Sequence, residues 1–173
     1  PNTTLKRYYQ LLTRFSAALA FVSDVTTLLL GAKIKRRESL SARLGDVLSL
    51  LYMGSAALKY YEDESLPEEL PLVKWTCKDL LYRIQTQLDG LISNLPNIVV
   101  RFFMRIIVFP RGKNLQPPSD ALTCEVATLI TRPGVVRNRF MDGVYMTPNG
   151  NNPLADLEDL LPQIILVAPI EKE

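Results

Sequence analysis

The chain contains no histidine among its 173 residues. Histidine is the commonest general base and the commonest metal ligand, so its absence excludes every Ser-His and Cys-His catalytic pair. The two cysteines, Cys77 and Cys124, lie far apart without a C-x-x-C spacing, which indicates neither a zinc site nor a disulfide framework. We therefore expect no metal centre and two buried, reduced thiols, as is typical of a cytoplasmic protein.

Nucleotide-binding loops are also missing, because neither G-x-G-x-x-G nor G-x-x-x-x-G-K-[ST] occurs. Carboxylates are grouped, but no base or nucleophile accompanies them, and we interpret them as solvated charge. The groups are Asp63 with Glu64, Glu68 with Glu69, and Asp156 with Glu158 and Asp159. The residues themselves therefore predict no catalytic site.

A net charge of only +2 gives the chain no overall attraction to nucleic acid. One local basic cluster does occur, and it consists of Lys33, Lys35, Arg36 and Arg37. Aromatic residues that could stack on bases are missing around it, so we expect no nucleic-acid partner. Two interpretations stay open: the cations complement the negative end of a preceding helix, or they contact a phosphate or a partner.

No apolar run approaches the roughly 18 to 20 residues of a membrane span. The longest stretch without a charged residue, 143–155, is polar and broken by proline. We therefore expect no transmembrane segment. The chain begins at Pro1 directly in a helical pattern, and we interpret it as a piece of a longer polypeptide.

Three segments, 3–33, 33–64 and 71–95, carry apolar residues at alternating spacings of three and four, which predicts amphipathic helices. Gly31 is the expected end of the first helix. The small residues from Gly54 to Ala57 would let a neighbouring helix approach closely. The predicted core stripes are Leu5, Tyr8, Leu12, Phe15, Leu19, Val22, Thr26 and Leu29; Leu40, Leu44, Val47, Leu51, Gly54, Leu58 and Tyr61; and Val73, Cys77, Leu80, Ile84, Leu88, Leu91 and Leu95.

A fourth segment, 97–110, is almost entirely large and apolar, and its only charges are Arg101 and Arg105. This composition favours a helix that is almost wholly buried, either in a core or between domains. It also suits a helix that lies on a membrane or presses on a partner, or one that contacts a ligand. The β-branched run at its start keeps a strand open as an alternative.

After residue 109 the sequence becomes richer in turn-forming residues. We expect an irregular segment over 109–120 and a short helix capped by Ser119 or Asp120. Another short helix should follow the Pro133-Gly134 turn, then a polar loop over 145–153 and a last helix, 153–167, interrupted near Pro162. The predicted fold is all-α: an antiparallel bundle of about four long helices over 1–109, with a looser arm of short helices over 110–173.

Several ordered blocks carry a resemblance to a known family. They are LLTRFSAALAFVSDVTTLLLGAKIKRRESLSARLGDVLSLLYMGSAALKYYEDE, LPLVKWTCKDLLYRIQTQLDGLISNLPN, VFPRGKNLQPPSD and NNPLADLEDLL. Together they resemble the C-terminal domain of bacterial-type long-chain acyl-CoA dehydrogenases over about residues 11–169. The resemblance implies an upstream module that holds FAD and the catalytic carboxylate and oxidises long-chain acyl-CoA in fatty-acid β-oxidation. Electrons would pass to an electron-transfer flavoprotein.

By the same resemblance the chain itself is noncatalytic, binds no cofactor and is inactive alone. It would serve packing, homo-oligomerisation or membrane docking of a cytoplasmic enzyme that is peripheral on the inner membrane. The alternative is a self-standing helical binding or scaffold module. The candidate membrane or partner surface comprises Arg101, Phe102, Phe103 and Arg105, and the candidate phosphate contact comprises Lys33, Lys35, Arg36 and Arg37.

Overall fold

The computed structural model describes residues 3–64, 66–144 and 153–167, with the side chains from residue 5 onward. No strand occurs in these ranges, which confirms the all-α class. The α-helices are α1 Thr3–Leu30, α2 Glu38–Glu64, α3 Leu70–Ser93, α4 Ile98–Val108, α5 Asp120–Thr131, α6 Val135–Met141 and α7 Pro153–Val167. The chain divides into two compact units, Pro1–Thr123 and Cys124–Glu173; the division at residue 109 stays a prediction.

The core of the first unit is formed by α1, α2 and α3, and the predicted stripes account for most of it. Among the stripe residues, only Leu19 and Leu44 are half-buried and only Leu29 is exposed, and Leu30 is buried in place of Leu29. Seven core side chains are completely buried, and each such burial contributes about 1.5–3 kcal/mol. They are Val22, Val47, Leu58, Ile84, Leu88, Leu91 and Ile92.

Two glycines have the roles that the sequence predicts, one at the end of a helix and one at a close contact between helices. Helix α1 ends at Leu30, and Gly31 follows with a φ of 49°, a left-handed conformation that disfavours other residues. At Gly54 of α2, an added Cβ would lie 3.1 Å from Leu12 Cδ2 and 3.7 Å from Leu80 Cδ1. Helix α2 therefore packs closely against both α1 and α3.

The irregular segment after α4 is held on α3 by one buried amide. Gln85 is 5% exposed, its Nε2 donates to the Leu115 carbonyl at 3.1 Å, and its Oε1 accepts from the Leu115 N–H at 3.2 Å. At the far end of the segment, Ser119 Oγ accepts from the Leu122 N–H at 3.4 Å, so Ser119 caps α5 as predicted. Trp75 Nε1 donates to Thr123 Oγ1 at 3.0 Å and joins α3 to α5.

Within the part of the chain that the structure describes, one long helix qualifies as a membrane span by length and composition alone, contrary to the sequence expectation. The stretch is Leu5–Arg36, that is, α1 with the 3-10 turn that follows it, and 22% of its apolar window is buried. The expectation was based on the length of runs without a charged residue. Asp24 interrupts such a run within this stretch, so the stretch was not recognised. Core helices of soluble proteins meet the same criterion, and α1 supplies part of the core of the first unit.

In the second unit, Arg137 on α6 forms an ion pair with Glu158 on α7. The predicted interruption at Pro162 is wrong, because α7 is continuous from Pro153 to Val167. An interior proline removes one backbone donor and crowds the carbonyl four residues earlier, but α7 continues past Pro162. Most of the predicted polar loop, 145–152, lies outside the described residues.

Candidate docking surface

Helix α4 begins because Pro96 follows the end of α3 and Asn97 caps the new helix. The Asn97 Oδ1 accepts from the Val99 N–H at 2.9 Å and from the Val100 N–H at 3.3 Å, which satisfies two of the backbone donors that a helix start leaves unpaired. The strand alternative for this segment is therefore wrong.

The expectation that α4 is almost wholly buried is wrong for the core of this chain, whereas its packing against another domain stays a prediction. Met104 and Val108 are its buried residues, whereas six large apolar side chains are at least half exposed to solvent. Only a narrow face of α4 packs on α3, and the composition of the segment could not show this. We call the exposed set the α4 apolar surface; it consists of Ile98 (71% exposed), Val99 (57%), Phe102 (62%), Phe103 (57%), Ile106 (51%) and Ile107 (58%).

Both arginines of α4 are directed back toward α3. Arg101 Nη1 donates to the Ser93 carbonyl at 3.1 Å, and Arg105 Nη2 donates to Ser93 Oγ at 2.7 Å. Arg105 also lies 3.4 Å from the carboxylate of Asp89. The rings of Phe102 and Phe103 pack edge to face, and their centroids are 5.7 Å apart. The four candidate residues are thus neighbours, with the aromatic pair exposed and the guanidinium groups at the boundary with α3.

Further cations adjoin α4. Arg14 Nη2 donates to the Val108 carbonyl at 2.8 Å, at the end of the helix where a positive charge is favourable. Lys113 Nζ pairs with Asp89 Oδ2 at 2.9 Å. Three arginines therefore lie on α4 or bond to it, and Lys113 and Asp89 belong to the same chain of ion pairs through Arg105. These four cations and one carboxylate together carry a net positive charge.

The basic cluster lies on the 3-10 turn Gly31–Arg36 and the residue after it, between α1 and α2. All four of its cations are exposed. This position at the end of α1 favours the interpretation in which the cluster complements the negative helix terminus. Contact of Lys33, Lys35, Arg36 and Arg37 with a phosphate stays a prediction.

The two cysteines differ in environment, although both are free thiols. Cys77 lies in the core as predicted, and burial raises the pKa of its thiol to about 12. Cys124 is exposed, so the expectation that both thiols are buried is wrong for this residue. Position 124 lies on α5, a short helix that buries only Val126.

A cleft of about 470 Å³ lies elsewhere in the first unit, between α1, α3 and the irregular segment. Its lining includes Arg7, Tyr8, Lys78 and Leu115. Burial raises the pKa of the Tyr8 phenol and the nearby Cys77 adds to the rise, while the charge of Arg7 lowers it. Sequence analysis missed this cleft because its walls come from three separate segments and no local motif marks them.

A family model described as acyl-CoA dehydrogenase, C-terminal, bacterial type, matches residues 1–173. The chain belongs to this family. No solved structure matches it. The family implies that FAD is bound in the parent enzyme, and it supports the resemblance seen in the sequence over the alternative of an unrelated scaffold module.

Three buried polar atoms in the described part of this acyl-CoA dehydrogenase C-terminal domain have no hydrogen-bond partner. Atoms of this kind could be satisfied by a bound group such as a flavin. The described atoms of this kind are Thr26 Oγ1, Arg101 Nε and Arg137 Nε, and they lie on three different helices. Thr26 and Arg101 belong to the first unit and Arg137 to the second, and we assign no flavin contact to them.

The carboxylates of this acyl-CoA dehydrogenase domain are not uniformly solvated, which corrects the sequence interpretation. Asp63 pairs with Lys59 at 2.6 Å on the surface, but Glu158 pairs with the largely buried Arg137, and Glu69 is only 4% exposed. Lys59 lies four residues before Asp63 on the same helix, whereas Arg137 lies 21 residues before Glu158. Among the described residues, no group of three or more His, Cys, Asp or Glu could hold a metal ion.

Proposed function

We propose that this chain is a noncatalytic domain of an FAD-dependent acyl-CoA dehydrogenase and that it docks the enzyme on an anionic membrane through the α4 apolar surface. In this proposal the upstream module carries FAD and oxidises long-chain acyl-CoA in fatty-acid β-oxidation. Its electrons pass to an electron-transfer flavoprotein. The enzyme is then peripheral on the cytoplasmic face of the inner membrane of a bacterium.

The observation that carries this proposal is the exposure of six large apolar side chains on an 11-residue helix. Soluble proteins rarely expose contiguous apolar patches beyond a few hundred Å² unless a partner or a membrane covers them. Because the six side chains are already partly buried, covering them would contribute roughly 1 kcal/mol each, or about 6 kcal/mol in total. Before any cost of binding is subtracted, this free energy would favour the membrane-bound chain over the free chain by about 10⁴-fold.

The charges beside the helix favour a membrane over a second copy of the chain. Arg105 and Lys113 pair with one carboxylate, that of Asp89, whereas Arg14 and Arg101 donate to the backbone carbonyls of Val108 and Ser93. A two-fold interface through α4 would bring these like charges together, because both copies would present the same patch. An anionic lipid surface instead attracts basic residues by about 1 kcal/mol each.

Co-sedimentation with lipid vesicles tests this proposal. The wild-type chain should sediment with vesicles that contain phosphatidylglycerol. Replacing Phe102→Ser together with Phe103→Ser should weaken this binding at least 10-fold, because two apolar anchors are lost. The matched control is Val135→Ser with Phe140→Ser, which removes two side chains of similar exposure, 61% and 54%, from α6; it should bind as the wild type does.

A charge variant separates electrostatic attraction from apolar burial. Arg101→Gln with Arg105→Gln should weaken binding to anionic vesicles by roughly 30-fold, since about 1 kcal/mol is lost per cation. It should leave binding to phosphatidylcholine vesicles unchanged. A wild-type chain that remains in the supernatant with both lipids would refute membrane docking and would favour a protein partner, such as the upstream module.

A further inference from the structure

The cleft between α1, α3 and the irregular segment combines an apolar floor with a charged rim. Its volume of about 470 Å³ lies in the range of about 300–1,000 Å³ that is typical of small-molecule sites. Leu11 of α1, Leu81 of α3 and Leu115 of the segment supply apolar surface, and Arg7 and Lys78 supply positive charge. Such a lining suits a ligand with an apolar body and an anionic end.

The two rim cations are free to meet an anion from outside, as far as the described residues go. Neither Arg7 nor Lys78 forms an ion pair within the described residues, although both are exposed at the cleft. Arg7 extends from α1 and Lys78 from α3, so an anion between the two helices could contact both. Charge-assisted hydrogen bonds of this kind are stronger than neutral ones.

The third wall of the cleft is fixed in place before any ligand binds. Leu115 is held through both its N–H and its carbonyl by the buried amide of Gln85, at 3.2 Å and 3.1 Å. Without this pair of bonds, the irregular segment would have to be ordered when the ligand binds, which lowers affinity. A preformed wall avoids that cost.

We propose that this cleft binds a single-chain amphiphile with an anionic head group, with the head between Arg7 and Lys78 and the apolar chain on Leu11, Leu81 and Leu115. A fatty carboxylate and an alkyl phosphate share this chemistry. The site is separate from α4, so it does not depend on membrane docking.

Isothermal titration calorimetry of the full chain tests the site with dodecanoate, dodecyl phosphate and dodecanol, each below its aggregation concentration. At least one of the two anions should bind saturably with one molecule per chain, and the tighter of them identifies the head group. Dodecanol should bind at least 10-fold more weakly, because it has the same chain without a charge. Equal binding of dodecanol, or no saturable binding of either anion, would overturn the proposal.

Matched variants locate the site. Arg7→Gln with Lys78→Gln should lower the affinity for the bound anion at least 10-fold. Lys6→Gln removes a neighbouring exposed charge that does not line the cleft and should change the affinity less than 2-fold. The Phe102→Ser and Phe103→Ser variant should also bind normally; if it loses binding while the cleft variant keeps it, the ligand sits on α4 and the proposal is wrong.

Discussion

Replacing Gly54 by alanine tests the close approach of α1 and α2. Alanine in a helix interior is favoured over glycine by about 1 kcal/mol. At this position, however, the new Cβ would lie 3.1 Å from Leu12 Cδ2, so the buried Leu12 must shift by a few tenths of an ångström. Overpacking of this kind costs about 1–3 kcal/mol. We expect Gly54→Ala to change the free energy of unfolding by between about 0 and −2 kcal/mol.

Gly45 provides the matched control, because it lies in the same helix and an added Cβ there would meet nothing within 4 Å. Gly45→Ala should therefore stabilise the chain by about 1 kcal/mol. Urea denaturation of both variants measures the difference, which should be about 1–3 kcal/mol in favour of Gly45→Ala. If Gly54→Ala stabilises as much as Gly45→Ala, the two helices do not approach as closely as the structure shows.

Three further results are expected. Thr26→Val should raise the free energy of unfolding by about 1 kcal/mol, because the buried Thr26 hydroxyl has no partner; Thr13→Val, at an exposed position where the hydroxyl is bonded, should change it little. Stability should fall as the pH rises from 9 toward 12, because the unfolded chain releases the Cys77 proton that the folded chain retains with a pKa of about 12. Between pH 8 and 10 the loss should be about 1 kcal/mol larger than in Cys77→Ala, as measured by urea denaturation at each pH. A thiol reagent should modify the exposed Cys124 in the native chain and Cys77 only after denaturation; equal rates would contradict the assigned environments.

The three long helices were predictable because each carries a local signal that repeats over many turns. An apolar residue at every third or fourth position specifies both the helix and its buried face, and Ile84 and Leu88 are completely buried as that pattern requires. The signals for helix ends were equally local, as at Gly31 after α1 and Ser119 before α5. When the interacting residues are only a few positions apart, their pattern can be recognised directly in the sequence.

The environment of α4 could not be predicted in the same way. Its composition suits a core helix and a surface-docking helix equally, and the difference depends on whether other elements cover it. In the structure α4 rests on α3 through Met104 and Val108 and leaves Phe102 exposed. The burial of Glu69 was missed for the same reason, since a carboxylate in a turn gives no local sign of what packs over it.

The cleft is a further example, because Arg7, Lys78 and Leu115 are brought together only by the packing of α1, α3 and the irregular segment. No spacing in the sequence relates the three positions. The wall is held by the buried Gln85, which lies beside the predicted core stripe of α3 and was not part of it. A buried polar side chain needs a hydrogen-bond partner, and here the irregular segment supplies it.

Depth-dependent quenching by brominated lipids tests membrane docking by α4 most directly. Phe102→Trp in a Trp75→Phe background places the single indole on the α4 apolar surface, and Phe140→Trp in the same background places it on α6. With anionic vesicles, bromines near the boundary of head groups and acyl chains should quench the indole at position 102 and leave the one at position 140 unaffected. An indole at position 102 that is not quenched at any depth would contradict the account.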